Sequence, residues 1–156
     1  MKGLFISVRT ASTRLPKKAL KKIEGKTTIE YLMDRVQTSK YADKIVLCTT
    51  RLREDDILCD LAKKNRISYY RGSAPDKLMR WLGAANEYDI DFFVNADGDD
   101  IFYDAGLADL CFETYFRTEC DFVDGHGFYN DVYGIKTSAL EEVVDIKGTK
   151  ETEFIR

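Results

Sequence analysis

The chain has 156 residues, 44% of them hydrophobic and 33% charged, with a formal net charge of −3. That length suits one domain with a buried core, and the slight negative charge argues against general affinity for nucleic acid or membrane surfaces. The four cysteines, at 48, 59, 111 and 120, form no Cys-x-x-Cys pair and His126 is the only histidine, which leaves no zinc spacing. With no secretory segment evident and no apolar run near the length of a membrane span, we expect a cytoplasmic protein with reduced, mostly buried thiols.

Strands and helices alternate along the chain. Residues 3–8 (GLFISV) read as a short buried strand. Ile29, Leu32, Met33 and Val36 recur at i, i+3, i+4 and i+7 and predict a helix over 28–38. Residues 44–50 (KIVLCTT) form a second strand. A helix carrying Ile57, Leu58, Leu61 and Ala62 follows, with acidic residues in its first turn and Lys63 and Lys64 in its last, as the helix dipole favours. A third strand, residues 67–70, runs into Arg71-Gly72-Ser73. There Ser73 is expected to cap, and Pro75 to open, a helix bearing Leu78, Met79, Leu82 and Ala85.

Residues 91–96 (DFFVNA) are a fourth strand, and Leu107, Leu110, Cys111 and Thr114 mark the helix after it. Two closely spaced strands, 121–124 and 131–136, come next, then a short helix from Ser138. This order implies an α/β layered fold with a mostly parallel sheet covered on both faces and an antiparallel edge. No internal repeat, low-complexity segment or linker interrupts it.

In open α/β sheets ligands bind outside the carboxyl ends of the strands. One such edge would collect the loop SVRTASTRLPKKAL after the first strand, the Arg71–Ser73 turn, and Asp97-Gly98-Asp99-Asp100. The first holds Arg9, Arg14, Lys17 and Lys18 among hydroxyls; the last holds three carboxylates. Taken singly, each also reads as solvated loop charge or a polar turn. Together they suit a nucleoside triphosphate with Mg²⁺, because carboxylates beside cations repel bare phosphate unless a divalent ion bridges them. Asp97 and Asp99 are the candidate metal ligands.

The run RTASTRLPKK, residues 9–18, resembles the R-x-x-S-x-R-L-P-x-K signature of cytidylyltransferases, the enzymes that make CMP-linked sugar acids. The likeness is greatest to the spore-coat polysaccharide branch. Thr49-Thr50 with Asp55-Asp56, Arg71-Gly72-Ser73 with Asp76, Leu78 and Arg80, and Gly98-Asp99 resemble further segments of that family in order. The resemblance implies a Rossmann-like nucleotidyltransferase fold of three layers, CTP as substrate, Mg²⁺ as cofactor and pyrophosphate as product. It implies that Arg9, Ser12, Arg14 and Lys18 bind the triphosphate, with Arg14 and Lys18 stabilising the leaving pyrophosphate. Arg71 would lie near the nucleotide, and Asp99 would hold the metal.

By position alone, Tyr129, Asn130 and Tyr133 are candidates for an acidic acceptor, a sugar acid or a phosphonate. Ala11 and Lys17 stand where the family often has glycine, and Asp100-Ile101 replaces the proline usual just after Gly98-Asp99. The resemblance covers residues 4 to 110 in register and more loosely the rest. It implies a second metal-binding aspartate and a dimerisation arm beyond residue 156. The expectation is therefore a C-terminally shortened domain or the N-terminal part of a longer enzyme, compatible with a homodimer. Two rivals stand beside it: a nucleotide-sugar glycosyltransferase using Asp97-Gly98-Asp99 as a D-x-D motif, and a non-catalytic nucleotide-binding or dimerisation domain.

Overall fold

In the computed structural model, which describes residues 1–11, 15–125 and 132–152, six strands form one sheet. In chain order the elements are β1 (Lys2–Ser7), β2 (Lys22–Ile23), β3 (Lys26–Thr27), α1 (Thr28–Val36), β4 (Lys44–Thr50), α2 (Asp56–Lys64), β5 (Ser68–Gly72) and α3 (Lys77–Glu87). They continue as β6 (Phe92–Asp97), α4 (Ala105–Thr118), β7 (Phe122–Asp124), β8 (Tyr133–Lys136) and α5 (Thr137–Lys147). The sheet order is β5-β4-β1-β6-β8-β7. β5, β4, β1 and β6 are mutually parallel, while β8 runs antiparallel to both β6 and β7.

The two-residue period of a strand sorts the core into two layers. Leu4 and Ile6 of β1, with Phe92 and Val94 of β6, pack with Leu32 and Met33 of α1, Leu58 of α2 and Phe112 of α4. Phe5 and Phe93, one residue out of phase, pack on the other face with Leu78 and Trp81 of α3 and Leu140 and Val144 of α5. Phe5 stacks on Phe93 with centroids 4.3 Å apart, and Trp81 meets Phe93 edge-on at 5.5 Å. The chain steps from β1 to β4 to β5 in one direction and then returns to the far side of β1 with β6. Because parallel crossovers are right-handed, that return carries α3 to the opposite face, and it leaves a topological switch point between β1 and β6.

Three local differences from the sequence reading have physical causes. The helix expected to be capped by Ser73 begins instead at Lys77: Asp76 caps it by accepting the Met79 N–H at 3.1 Å, and Ser73 Oγ accepts the N–H of Asp76. Pro75 therefore lies in the turn before the cap. Arg71 and Gly72 belong to β5, where the register places Gly72 beside Thr50. The small hairpin of β2 and β3, which the sequence reading passed over, turns at Glu24 and Gly25, both with positive φ. That is the conformation a two-residue hairpin turn demands.

The start of α1 makes one part of the stability pH-dependent. Glu30, buried in its first turn, accepts the Thr27 hydroxyl at 2.7 Å, the Thr27 N–H at 3.0 Å and the Lys64 ammonium at 2.9 Å. The Thr27 hydroxyl first, then Lys64, hold its carboxyl at about 2, against an ordinary value of 4.5. A depressed folded value means the stabilisation is complete above the ordinary value and is lost as pH falls towards 2. Urea midpoints should therefore decline between about pH 5 and pH 2, and Glu30→Gln should flatten that decline while lowering the midpoint at pH 7.

Candidate active site at the switch point

β1 and β6 end side by side, and the loops leaving them are bonded together. The Gly98 N–H donates to the Ser7 carbonyl at 2.8 Å, and the Val8 N–H donates to the Cys48 carbonyl at 3.2 Å. Gly98 is required by this closeness: a Cβ there would lie 2.4 Å from Val8 Cβ and 2.8 Å from the Ser7 oxygen. The loop after β1 is gathered at its neck. Thr10 donates both its N–H, at 2.8 Å, and its hydroxyl, at 2.7 Å, to Asp55 Oδ1, and its carbonyl accepts the Lys17 N–H at 3.3 Å. Lys17 takes a left-handed conformation, φ 53°, which glycine would adopt at less cost.

The short 3₁₀ turn Lys18–Leu20 then starts, its Lys18 carbonyl accepting the Thr28 hydroxyl at 2.9 Å. This mounting directs the Lys18 ammonium across the switch point into an ion pair with Asp99. The sequence expectation paired these two residues only as neighbours on one edge; the structure brings them into contact.

Asp97, at the end of β6, pairs with the ammonium of Lys77 at 2.9 Å, and that ammonium also lies 4.6 Å from the centre of the Trp81 ring. Lys77 was not anticipated. It is the first residue of α3, where a cation opposes the helix dipole, and no motif marks it. That misplaced charge at the carboxyl edge of the sheet is the one signal by which it was findable. Burial pushes the Asp100 carboxyl above its ordinary value; the Phe102 N–H opposes this, and the charges of Asp99 and Asp97 add to it.

Arg9 reaches the neighbouring loop, donating to the Ala74 carbonyl at 3.4 Å. Arg71 is turned elsewhere. Its guanidinium donates to the carbonyls of Thr50 at 2.9 Å and Leu52 at 2.8 Å and pairs with Asp56 at 2.7 Å. It clasps the loop after β4 and is not grouped with Lys18 and Asp99. Tyr133 stacks with Phe122 at 5.8 Å and lies 6.2 Å from Trp81, on the α3 side of the sheet. Ser12, Arg14, Tyr129 and Asn130 lie outside the described residues. Asn95, two positions before Asp97, is buried with neither side-chain polar atom partnered among the described residues.

Among the described residues no group of three acidic, histidine or cysteine side chains converges as a cage for a metal. Asp97 and Asp99 nonetheless suit Mg²⁺. They are two hard oxygen donors, each about half exposed and each paired, among the described residues, with a lysine ammonium. Mg²⁺ commonly takes one or two carboxylates and completes its shell with water and substrate phosphate.

Residues 4–152 match the family model described as cytidylyltransferase. The chain belongs to the cytidylyltransferase family. An uncharacterized protein of Methanocaldococcus jannaschii is 32% identical over 119 residues, covering 76% of this chain and 49% of that protein. The spore coat polysaccharide biosynthesis protein SpsF of Bacillus subtilis is 28% identical over 122 residues, 76% of this chain and 51% of SpsF. The chain thus spans about half the length of these relatives. Among solved structures, a cytidylyltransferase from Leptospira borgpetersenii superposes with a TM-score of 0.86 at 31% identity, over 93% of this chain and 64% of that one. A CMP:2-keto-3-deoxy-manno-octonic acid synthetase complexed with CTP superposes at 0.75 with 13% identity, over 98% and 80% of the two chains, a likeness of fold. The chain therefore has the fold expected of that family, and no helix among its described residues is long and apolar enough to cross a membrane.

Proposed function

We propose that this cytidylyltransferase chain binds CTP at the switch point and transfers its CMP moiety to an acidic acceptor, a sugar acid or a phosphonate, releasing pyrophosphate. The observation that carries the reading is the meeting of Lys18 and Asp99 across the ends of β1 and β6. It gives a phosphate-binding cation and a metal-binding carboxylate one shared locus. An acceptor oxygen, already ionised in a phosphonate or giving up its hydroxyl proton to solvent in a sugar acid, attacks the α-phosphorus of CTP. A new oxygen–phosphorus bond forms as the bond to the bridging oxygen of the β-phosphate breaks, and the electron pair leaves with pyrophosphate.

Catalysis of such a step is mainly positioning and charge neutralisation. Lys18, with Arg9 and Arg14 of the same loop, holds the β- and γ-phosphates and stabilises the leaving group. Mg²⁺ held by Asp99 and Asp97 would supply a Lewis acid for phosphate oxygens. Lys77 and Asp97 lie on the α3 side of the site, towards Trp81 and Tyr133, where the acceptor is expected. The CTP-bound synthetase that shares the fold is named for 2-keto-3-deoxy-manno-octonic acid, which makes that sugar acid the first acceptor to test. Four free thiols, three of them buried, suit a reducing cytoplasmic setting.

Thermal unfolding with CTP, UTP, GTP or ATP, each with and without Mg²⁺, tests the reading before any acceptor is known. Ligand at 100 times its dissociation constant adds about 2.7 kcal/mol, read as a rise of several degrees. A shift selective for CTP and strengthened by Mg²⁺ is expected. No shift with any nucleotide would remove CTP binding from this chain.

A further inference from the structure

Asp55 is a charge in an expensive place. It is 0% exposed, and among the described residues no cation pairs with it. An isolated buried carboxylate is strongly disfavoured unless its oxygens are well hydrogen-bonded. Among the described residues, every donor to it comes from the rim of the site. Oδ1 accepts the N–H and hydroxyl of Thr10, and Oδ2 accepts the hydroxyl of Thr50 at the end of β4. Thr50 Oγ1 in turn accepts the Leu52 N–H at 3.1 Å. Thr10 is 3% exposed, so its hydroxyl serves Asp55 rather than a ligand. Its carbonyl closes the neck of the loop on the Lys17 N–H, one residue before Lys18. The carboxylate thus ties the carboxyl ends of β1 and β4 together and fixes the point from which Lys18 reaches Asp99.

Resting on the reading of the switch point as a CTP site, we infer that Asp55 is its positioning residue, acting through Thr10 to hold the phosphate-binding loop in register. A merely structural Asp55 would serve the start of α2, where its backbone stands as the cap residue. Its side chain makes no bond to α2 among those described, and that separates the two roles.

Thr10→Val removes the hydroxyl at nearly constant shape, and Thr10→Ser retains it. In the absence of nucleotide, amide exchange at Lys17 should quicken about tenfold in Thr10→Val, while the amides of α2 exchange as in the unaltered protein. Thr10→Ser should restore the slower rate. Calorimetry with CTP and Mg²⁺, well below the melting temperature, should show about tenfold weaker binding for Thr10→Val and near-normal binding for Thr10→Ser. That is the size expected when a hydrogen bond to a charged group is lost.

Unchanged Lys17 exchange in Thr10→Val would overturn the inference, as would equal effects of the two variants. Unchanged CTP affinity in Thr10→Val, with the unaltered protein binding normally, would overturn it too. If the unaltered protein binds no CTP, the CTP reading falls, and the Lys17 exchange arm still decides whether Asp55 holds the neck. Asp55→Asn, which puts a donor where Thr50 also donates, should reproduce the faster Lys17 exchange if it folds; the threonine pair decides the matter if it does not.

Discussion

Lys18→Ala is expected to lower CTP-dependent pyrophosphate release by about 10²–10³-fold, the range found when one preorganised donor to developing charge is removed. The same change should barely move the melting temperature. The Lys18–Asp99 pair has side chains 33% and 49% exposed, and exposed pairs of this kind contribute only about 0.2–1 kcal/mol. The structural duty of Lys18 is performed by its backbone carbonyl, which takes the Thr28 hydroxyl and survives the substitution. Steady-state release of pyrophosphate and thermal unfolding, run on one preparation, make the comparison. A near-normal rate would remove Lys18 from the chemistry. A low rate with a collapsed melting temperature would show that the pair is structural.

Gly98→Ala should have the opposite profile, losing stability and site together. The added methyl would arrive 2.4 Å from Val8 Cβ, 2.7 Å from Val8 Cγ2 and 2.8 Å from the Ser7 carbonyl. Val8 is 6% exposed and Ser7 9%, so neither has open space into which to retreat. Overpacking of this kind costs about 1–3 kcal/mol, occasionally more. The methyl also wedges apart the Gly98 N–H and the Ser7 carbonyl, and with them the ends of β1 and β6. Carboxylate and ammonium then no longer meet across the switch point. A lower urea midpoint at unchanged slope, with loss of CTP-induced stabilisation, is the expected result. A fully stable Gly98→Ala that still responds to CTP would mean that the close approach has no bearing on the site.

Much of the architecture was legible because buried strands impose a period of two. Leu4 and Ile6 against Phe5, and Phe92 and Val94 against Phe93, divide between the layers as the alternation requires. The strand at residues 44–50 was read residue for residue. Boundaries failed where two chemistries compete. Ser73 and Asp76 are both competent caps, and sequence alone does not rank them. β2 and β3 are two residues each, too short to display a period.

In the candidate site, residue types were legible in the sequence and side-chain directions were not. Arg71 is a cation beside the right edge of the sheet, yet its guanidinium turns back onto the carbonyls of Thr50 and Leu52. Asp55 and Asp56 are identical letters in succession. One is fully buried under Thr10 and Thr50, and the other is an exposed partner of Arg71. Lys77 belonged to no motif, and only its contact with Asp97 brings it to the site.

The place of β1 in the sheet has a consequence for how the chain comes to be folded. β1 leaves the ribosome well before its neighbours on either side, β4 and β6. Until they arrive, the apolar residues Leu4, Phe5 and Ile6 sit on a strand with two open edges, the arrangement most prone to pairing with other chains. Pairings so distant along the chain also fold slowly. The apolar β1 is therefore made well before the two strands that cover its edges. Slow refolding and early demand for chaperones are the traits to expect of its biogenesis.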